Sequence, residues 1–101
     1  RYKFWSTASI MAAYHQILYM SSSWLAKYGI KINIANNYIA ELFLSLSQDA
    51  VNKKSQGFKR LVADSQTPRG LNMQVLQELK KAKFFNKFTK SLDNINKRIS
   101  K

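Results

Sequence analysis

The sequence predicts an all-α fold, and three observations support this class. Apolar residues recur at three- and four-residue intervals in several segments, and no segment alternates apolar and polar residues as a strand would. The only proline, Pro68, lies between two periodic segments, where it would separate helices. The chain has 101 residues, so we expect one domain, residues 1–101, built as a bundle of about five helices.

The first helix is predicted within the uncharged run of residues 4–26 and is expected to end at Gly29. The run is long enough to cross a bilayer, but its serines, His15 and Gln16 make it a poor membrane span. A helix that is uncharged on every face is better explained by burial on all sides. One chain of this length can hardly enclose it, so we expect a homodimer in which a second copy covers the long N-terminal helices.

A second helix is predicted to start with Asn33 as its cap and to end in the polar stretch 52–57. A short helix should then run from Phe58 to about Asp64. Its inward residues are predicted to be Phe58, Leu61 and Val62.

Two further helices are predicted in the C-terminal part of the chain. The fourth runs from Leu71 or Asn72 to about Ala82. The fifth has its apolar residues on one face and lysines on the other. Its apolar residues are Phe84, Phe85, Phe88, Leu92, Ile95 and Ile99.

The net charge of +12 raises nucleic acid or an anionic membrane as a partner. Thirteen of the seventeen basic residues are lysines, many of them on predicted solvated helix faces, and no recognised nucleic-acid-binding motif accompanies them. We therefore interpret the basic residues as a solvated face and do not expect nucleic acid or a membrane as the partner.

Most self-contained catalytic chemistry is absent from the sequence. There is no cysteine, which agrees with a reducing, cytoplasmic location, and one histidine with five scattered acids does not suggest a metal site. His15 is interpreted as a core or interface histidine with one hydrogen bond. No G-x-G-x-x-G and no Walker loop is present, so the isolated chain is expected to be inactive and any cofactor must be supplied by another domain.

The loop of residues 67–72 is the most informative segment. Pro68 should end the preceding helix near Ser65 or Gln66, and Gly70 should take a backbone angle that other residues resist. The amides of the next helical turn would then be free for a carboxylate or phosphate. We expected these amides to be those of Asn72, Met73 and Gln74. The alternative interpretation is an ordinary connector between two helices.

Residues 67–98 resemble the C-terminal end of the pyrroline-5-carboxylate reductases. In that family an S-P-G-G-T-T loop is followed by a helix, a Gly-Phe-type junction and a last helix closing in Lys-Arg. The corresponding features here are Thr67-Pro68-Arg69-Gly70-Leu71-Asn72, then Phe84, then Lys97-Arg98. The distance from Gly29 to Thr67 also fits the family, so the resemblance covers nearly the whole chain.

The resemblance implies an interlocked, all-helical dimerisation domain that also holds the substrate. An N-terminal Rossmann domain, absent from this chain, would supply NAD(P)H. The chain begins with Arg1 and is therefore expected to be a fragment or a processed product. By analogy, the pocket for a small carboxylate-bearing imine or carbonyl compound would be formed by Thr67, Gly70, Leu71 and Asn72. Asn72 would replace the threonine that reaches the imine nitrogen.

Three departures from the family bear on the substrate. Leu71 and Asn72 replace hydroxyl-bearing residues, and Arg69 replaces a glycine. Arg69 could bind a second carboxylate, or it could simply face solvent. The sequence therefore resembles a divergent paralogue with a substrate of its own. The alternative function is a basic helical adaptor that binds nucleic acid or an acidic protein. A third interpretation is a membrane-associated helix pair.

Overall fold

A computed structural model describes residues 9–100, and within this range the fold is all-α, as predicted. No strand occurs among the described residues, and residues 4–8 of the predicted uncharged helix lie outside them. A 3-10 turn, Lys54–Gln56, follows the second helix directly. The five α-helices are α1 (Met11–Lys27), α2 (Ile32–Lys53), α3 (Phe58–Asp64), α4 (Leu71–Lys81) and α5 (Phe84–Ile99).

The chain divides into two compact units, with the boundary between Asn52 and Lys53. Unit 1 holds α1 and nearly all of α2, whereas unit 2 holds α3, α4 and α5. The single domain expected from the sequence stays a prediction.

Gly29 ends α1, as the sequence predicted. Its φ of 101° is left-handed, and its amide donates to the Ala26 carbonyl at 3.0 Å. The amide of Ile30 donates to the Leu25 carbonyl at 3.3 Å. These two bonds form a Schellman motif, which pairs carbonyls that the helix end would otherwise leave unsatisfied.

The start of α2 differs from the prediction. The Lys31 carbonyl accepts the amide of Ala35 at 2.9 Å, so Lys31 takes the cap position. Asn33 lies inside the first turn of the helix and caps nothing. The reason is the length of the connection, since only Ile30 and Lys31 separate the Gly29 turn from the first helical residue.

In unit 1, α1 and α2 form an antiparallel hairpin. The Ser22 hydroxyl donates to the Asn36 side-chain oxygen near the connection, and the rings of Tyr14 and Phe43 meet edge to face at 6.1 Å farther from it. Ala35 has no exposed surface. Ser22 and Ile39 are also buried.

Most apolar side chains of the hairpin remain exposed in the single chain. Ala35 and Ile39 are the only buried apolar residues among the described ones. Tyr19 is 67% exposed and Trp24 60% exposed, and they lie on different sides of α1. Within the described chain, the burial predicted for the uncharged first helix is therefore not achieved. So small a core contributes little apolar burial to the stability of the hairpin.

In unit 2, α4 and α5 pack against each other across a two-residue connection. Lys83 adopts a left-handed φ of 60°, and its carbonyl accepts the Lys87 amide at 3.0 Å to start α5. The side chains of Leu76, Leu79 and Phe85 line a common groove between the helices. Leu92, Ile95 and Ile99 are half-buried on the same face of α5. The apolar face predicted for α5 is therefore only partly buried, since Phe84, Phe85 and Phe88 stay 38–44% exposed.

Candidate functional site

The loop between α3 and α4 is a tight turn. The amide of Gly70 donates to the Thr67 carbonyl at 2.7 Å, so residues 67–70 close a β-turn. Proline at its second position and a positive φ at its third are typical of a type II turn. Because Pro68 disfavours helix at the residue before it, α3 ends at Asp64 with Ser65 as its cap, close to the predicted end.

The left-handed residue of the turn is Arg69, not Gly70. Arg69 has a φ of 64°, whereas Gly70 has a φ of −82°, which any residue can adopt. The predicted reason for Gly70 was therefore wrong. A Cβ at Gly70 would lie 2.8 Å from the Thr67 carbonyl oxygen and 3.1 Å from the Thr67 Cβ. Glycine is required here by the close approach of Thr67 rather than by a special backbone angle.

Three free amides stand at the start of α4. The Gly70 carbonyl accepts the amide of Gln74 at 3.1 Å, which makes Gly70 the cap and removes Gln74 from the predicted set. No side chain caps the helix, and among the described residues nothing accepts the amides of Leu71, Asn72 and Met73. The site of free donors is thus one residue earlier than expected, because the helix begins at Leu71.

The predicted site side chains surround this helix start. Thr67, Arg69, Leu71 and Asn72 are exposed, and Gly70 is half-buried. Leu71 is 82% exposed and contributes its amide rather than its side chain. Among the five, Asn72 alone lines the groove of unit 2. The five predicted residues thus share one loop and its helix start, and they differ in exposure and in contact with the groove.

The groove beside Asn72 has a volume of about 430 Å³ and is open to solvent. Its wall is mainly apolar and comes from all three helices of unit 2, as Leu61, Val75 and Phe85 illustrate. The volume lies in the range of small-molecule pockets. The three residues of α3 that were predicted to face inward, Phe58, Leu61 and Val62, all line it, although Phe58 and Val62 stay largely exposed.

Two polar residues of this groove were missed by the sequence analysis. The Ser65 hydroxyl donates to the Leu61 carbonyl at 2.7 Å, and the Gln66 amide nitrogen donates to the Val62 carbonyl at 3.0 Å. Both bonds satisfy carbonyls at the C-terminal end of α3, and both residues line the groove. Their position just before Pro68 could have predicted this placement, because polar residues at the end of a helix lie beside the turn that follows it.

His15 has a different environment from the predicted one. It is exposed in the single chain, with its ring 5.8 Å from that of Tyr14, and it forms no hydrogen bond with the described residues. It is therefore not a core histidine of this hairpin. Its placement at an interface stays a prediction.

The described residues do not form a cofactor or metal site of a standard kind. A Rossmann site needs a strand that leads through a glycine-rich turn into a helix, and the described range has no strand. It also has no group of three or more His, Asp or Glu side chains that could hold a metal ion. The arrangement offers backbone donors to an anion at the start of α4, with Asn72 in the same helical turn.

No protein-family model matches the chain, and comparison with curated proteins and with solved structures finds no match. Among the described helices, none combines the length and the apolar character that crossing a bilayer requires.

Proposed function

We propose that this chain is the C-terminal dimerisation and substrate-binding domain of an NAD(P)H-dependent reductase that resembles pyrroline-5-carboxylate reductase. The observation that carries the proposal is the turn of residues 67–70, which leads into a helix that has no side-chain cap and three free amides. The turn lies where the resembled family has its substrate loop. We expect the intact enzyme to be cytoplasmic, in agreement with the absence of cysteine.

The substrate is proposed to be a small imine or carbonyl compound that carries a carboxylate. The amides of Leu71, Asn72 and Met73 would donate to the carboxylate, helped by the positive end of the α4 dipole. The Asn72 side chain has a donor and an acceptor, and either can orient the reacting C=N or C=O group. The contribution of this chain is thus to hold and orient the substrate, while the nicotinamide is supplied by an upstream domain.

Dimerisation is proposed to occur through unit 1. Its hairpin exposes apolar side chains around α1, and a second copy of the hairpin would cover them. The Schellman turn keeps α1 and α2 antiparallel, so both helices can present apolar surface to the same partner.

The test uses the intact protein, with the segment encoded upstream of Arg1. A strand, a glycine-rich turn and a helix in that segment are expected. The intact protein should oxidise NADH or NADPH when given cyclic imino acids or 2-oxo acids, and the corresponding amides or esters should be much poorer substrates.

The matched variants are Asn72→Ala at the site and Asn94→Ala on the exposed surface of α5. Loss of a hydrogen bond to a charged or reacting group costs about 1.5–3 kcal/mol, so Asn72→Ala should lower kcat/KM about 10- to 150-fold. Asn94→Ala should leave it unchanged. Equal kinetics for the two variants with every substrate would remove Asn72 from the site, and an upstream segment without a dinucleotide-binding pattern would reject the reductase.

A further inference from the structure

Four cations of α5 form a continuous stripe on the solvent side of the helix. Successive helical residues turn by about 100°, which puts these four within an arc of roughly 100°. The six apolar residues of α5 occupy a separate arc on the opposite side of the helix. We call this set the basic stripe, and its members are Lys87, Lys90, Lys97 and Arg98.

The basic stripe is exposed and not neutralised within the described chain. All four side chains are exposed, and none is in an ion pair with a described residue. The only acid of α5, Asp93, lies at the edge of the stripe. The other acids of unit 2 are engaged elsewhere, since Asp64 pairs with Arg60 at 3.4 Å and Glu78 accepts from Gln74 at 3.0 Å. The positive charge is therefore available to an external anion.

Further cations precede α5 in the chain. Lys80 and Lys81 form the last turn of α4, and Lys83 caps α5 in the two-residue connection. Unit 2 as a whole carries thirteen basic and three acidic residues. So strong an excess of one sign on about fifty residues produces a positive potential that attracts polyanions.

We propose that the basic stripe binds the phosphodiester backbone of a nucleic acid without reading its sequence. This inference is independent of the reductase proposal and departs from the solvated face expected from the sequence. The stripe extends over about 16 Å of helix, and one nucleic-acid strand presents about five phosphates in that length. Four cations in a line thus match a regular row of phosphates.

The composition of the stripe favours this partner over two others. Retention on a bilayer by a basic helix needs an apolar face that is free to insert, but Leu92, Ile95 and Ile99 of that face are half-buried in unit 2. Binding to a folded acidic protein is usually anchored by buried aromatic residues, and the stripe contains none. The lysine and arginine side chains of the stripe instead suit phosphate oxygens, which carry no sequence information.

The experiment measures binding of the full chain to two unrelated 20-base-pair DNA duplexes and to one single strand between 50 and 200 mM salt. At least four phosphate contacts should give a slope of log K against log[salt] of about −3.6 on the duplexes and about −2.8 on the single strand. The duplex affinity should therefore fall about 150-fold across this range. The two duplexes should bind equally.

The test variant is K87Q/K90Q/K97Q, and the matched control is K31Q/K54Q/K59Q, which removes the same charge away from the stripe. In the stripe variant, the one remaining cation should give a slope of about −0.9, so the duplex affinity should fall only about 3.5-fold across the salt range. The control should keep the full slope. Glutamine is a good helix former, and circular dichroism will verify that α5 is retained.

Three results would overturn the proposal. One is an absence of DNA binding at 50 mM salt, and another is an equal loss of affinity in both variants, since net charge alone would then explain the binding. The third is tighter binding to phosphatidylserine vesicles or to polyglutamate than to DNA at equal charge, because the stripe would then serve a membrane or an acidic protein.

Discussion

Units 1 and 2 are both helical, but their surfaces differ in the two properties that select partners. Unit 1 has four basic and two acidic residues, whereas unit 2 has thirteen and three. Among the described residues, unit 1 leaves fifteen large apolar or aromatic side chains more than a third exposed, and unit 2 leaves seven. Apolar surface leaves water only against other apolar surface, whereas fixed positive charge attracts anions through solvent. We therefore expect assembly through unit 1 and anion binding through unit 2.

The largest expected effect comes from charging the apolar surface of unit 1. In the variant Met20→Glu/Trp24→Glu, two charges lie one turn apart on α1, at positions that are 58% and 60% exposed in the single chain. Burial of unpaired charges in an interface costs several kcal/mol, so the dimer should weaken more than about 100-fold. Sedimentation velocity over a range of concentrations measures this change.

The control for that experiment adds the same charge to a polar face of α2, in the variant Gln48→Glu/Asn52→Glu. Both positions are exposed and uncharged in the native chain. The control should leave the dimer intact. A native chain that sediments as a monomer at micromolar concentration would contradict the role assigned to unit 1.

An intermediate effect distinguishes the core of the hairpin from its outer surface. Ile39 is 6% exposed and Ile34 is 56% exposed, and both belong to α2. Ile39→Ala should lower the free energy of unfolding by about 2–5 kcal/mol. Ile34→Ala should have a similar cost only if a second copy covers it, and that cost should depend on protein concentration.

Urea denaturation at two protein concentrations, tenfold or more apart, separates these cases. If Ile34→Ala changes the unfolding free energy by less than about 0.5 kcal/mol at both concentrations, Ile34 is an ordinary surface residue. The apolar surface of α2 would then have no partner on that side.

The smallest expected effects are changes in stability at two adjacent residues of unit 2, both in the turn of residues 67–70. Gly70→Ala should destabilise the fold by about 1–3 kcal/mol, because its Cβ would contact the Thr67 carbonyl. Arg69→Gly should have the opposite sign and stabilise by about 1 kcal/mol, since glycine adopts a left-handed φ without the steric cost. Thermal denaturation of both variants measures the two changes, and the same sign for both would refute the assigned turn.

The sequence predicts the helices of this chain well because glycine and proline determine their ends. Gly29 ends α1 through a Schellman motif, and Pro68 limits α3, as expected. The amphipathic pattern of α5 also predicts which face turns inward. These features depend on local sterics and on helical periodicity, which a sequence displays directly.

The details of the candidate site were less predictable for a physical reason. A glycine in a turn can be required for a left-handed backbone angle or for the space that a close approach of the chain needs, and the sequence does not distinguish these two uses. Here the strained angle belongs to Arg69, and Gly70 provides the space. The cap of α2 was missed similarly, because Asn33 has a capping side chain but the short connection places the helix start before it.

The two-residue connection after Gly29 has a consequence for the order of folding. Contacts between α1 and α2 are local in sequence, so the hairpin can form within microseconds to milliseconds, without waiting for the rest of the chain. Association of two chains is slower and depends on concentration. On the proposed dimerisation through unit 1, each newly made hairpin would spend an interval with its apolar side chains in water, and during this interval aggregation would compete with pairing. We expect slow dilution at low concentration to favour the monomeric hairpin, and co-expression at high concentration to favour the assembled form.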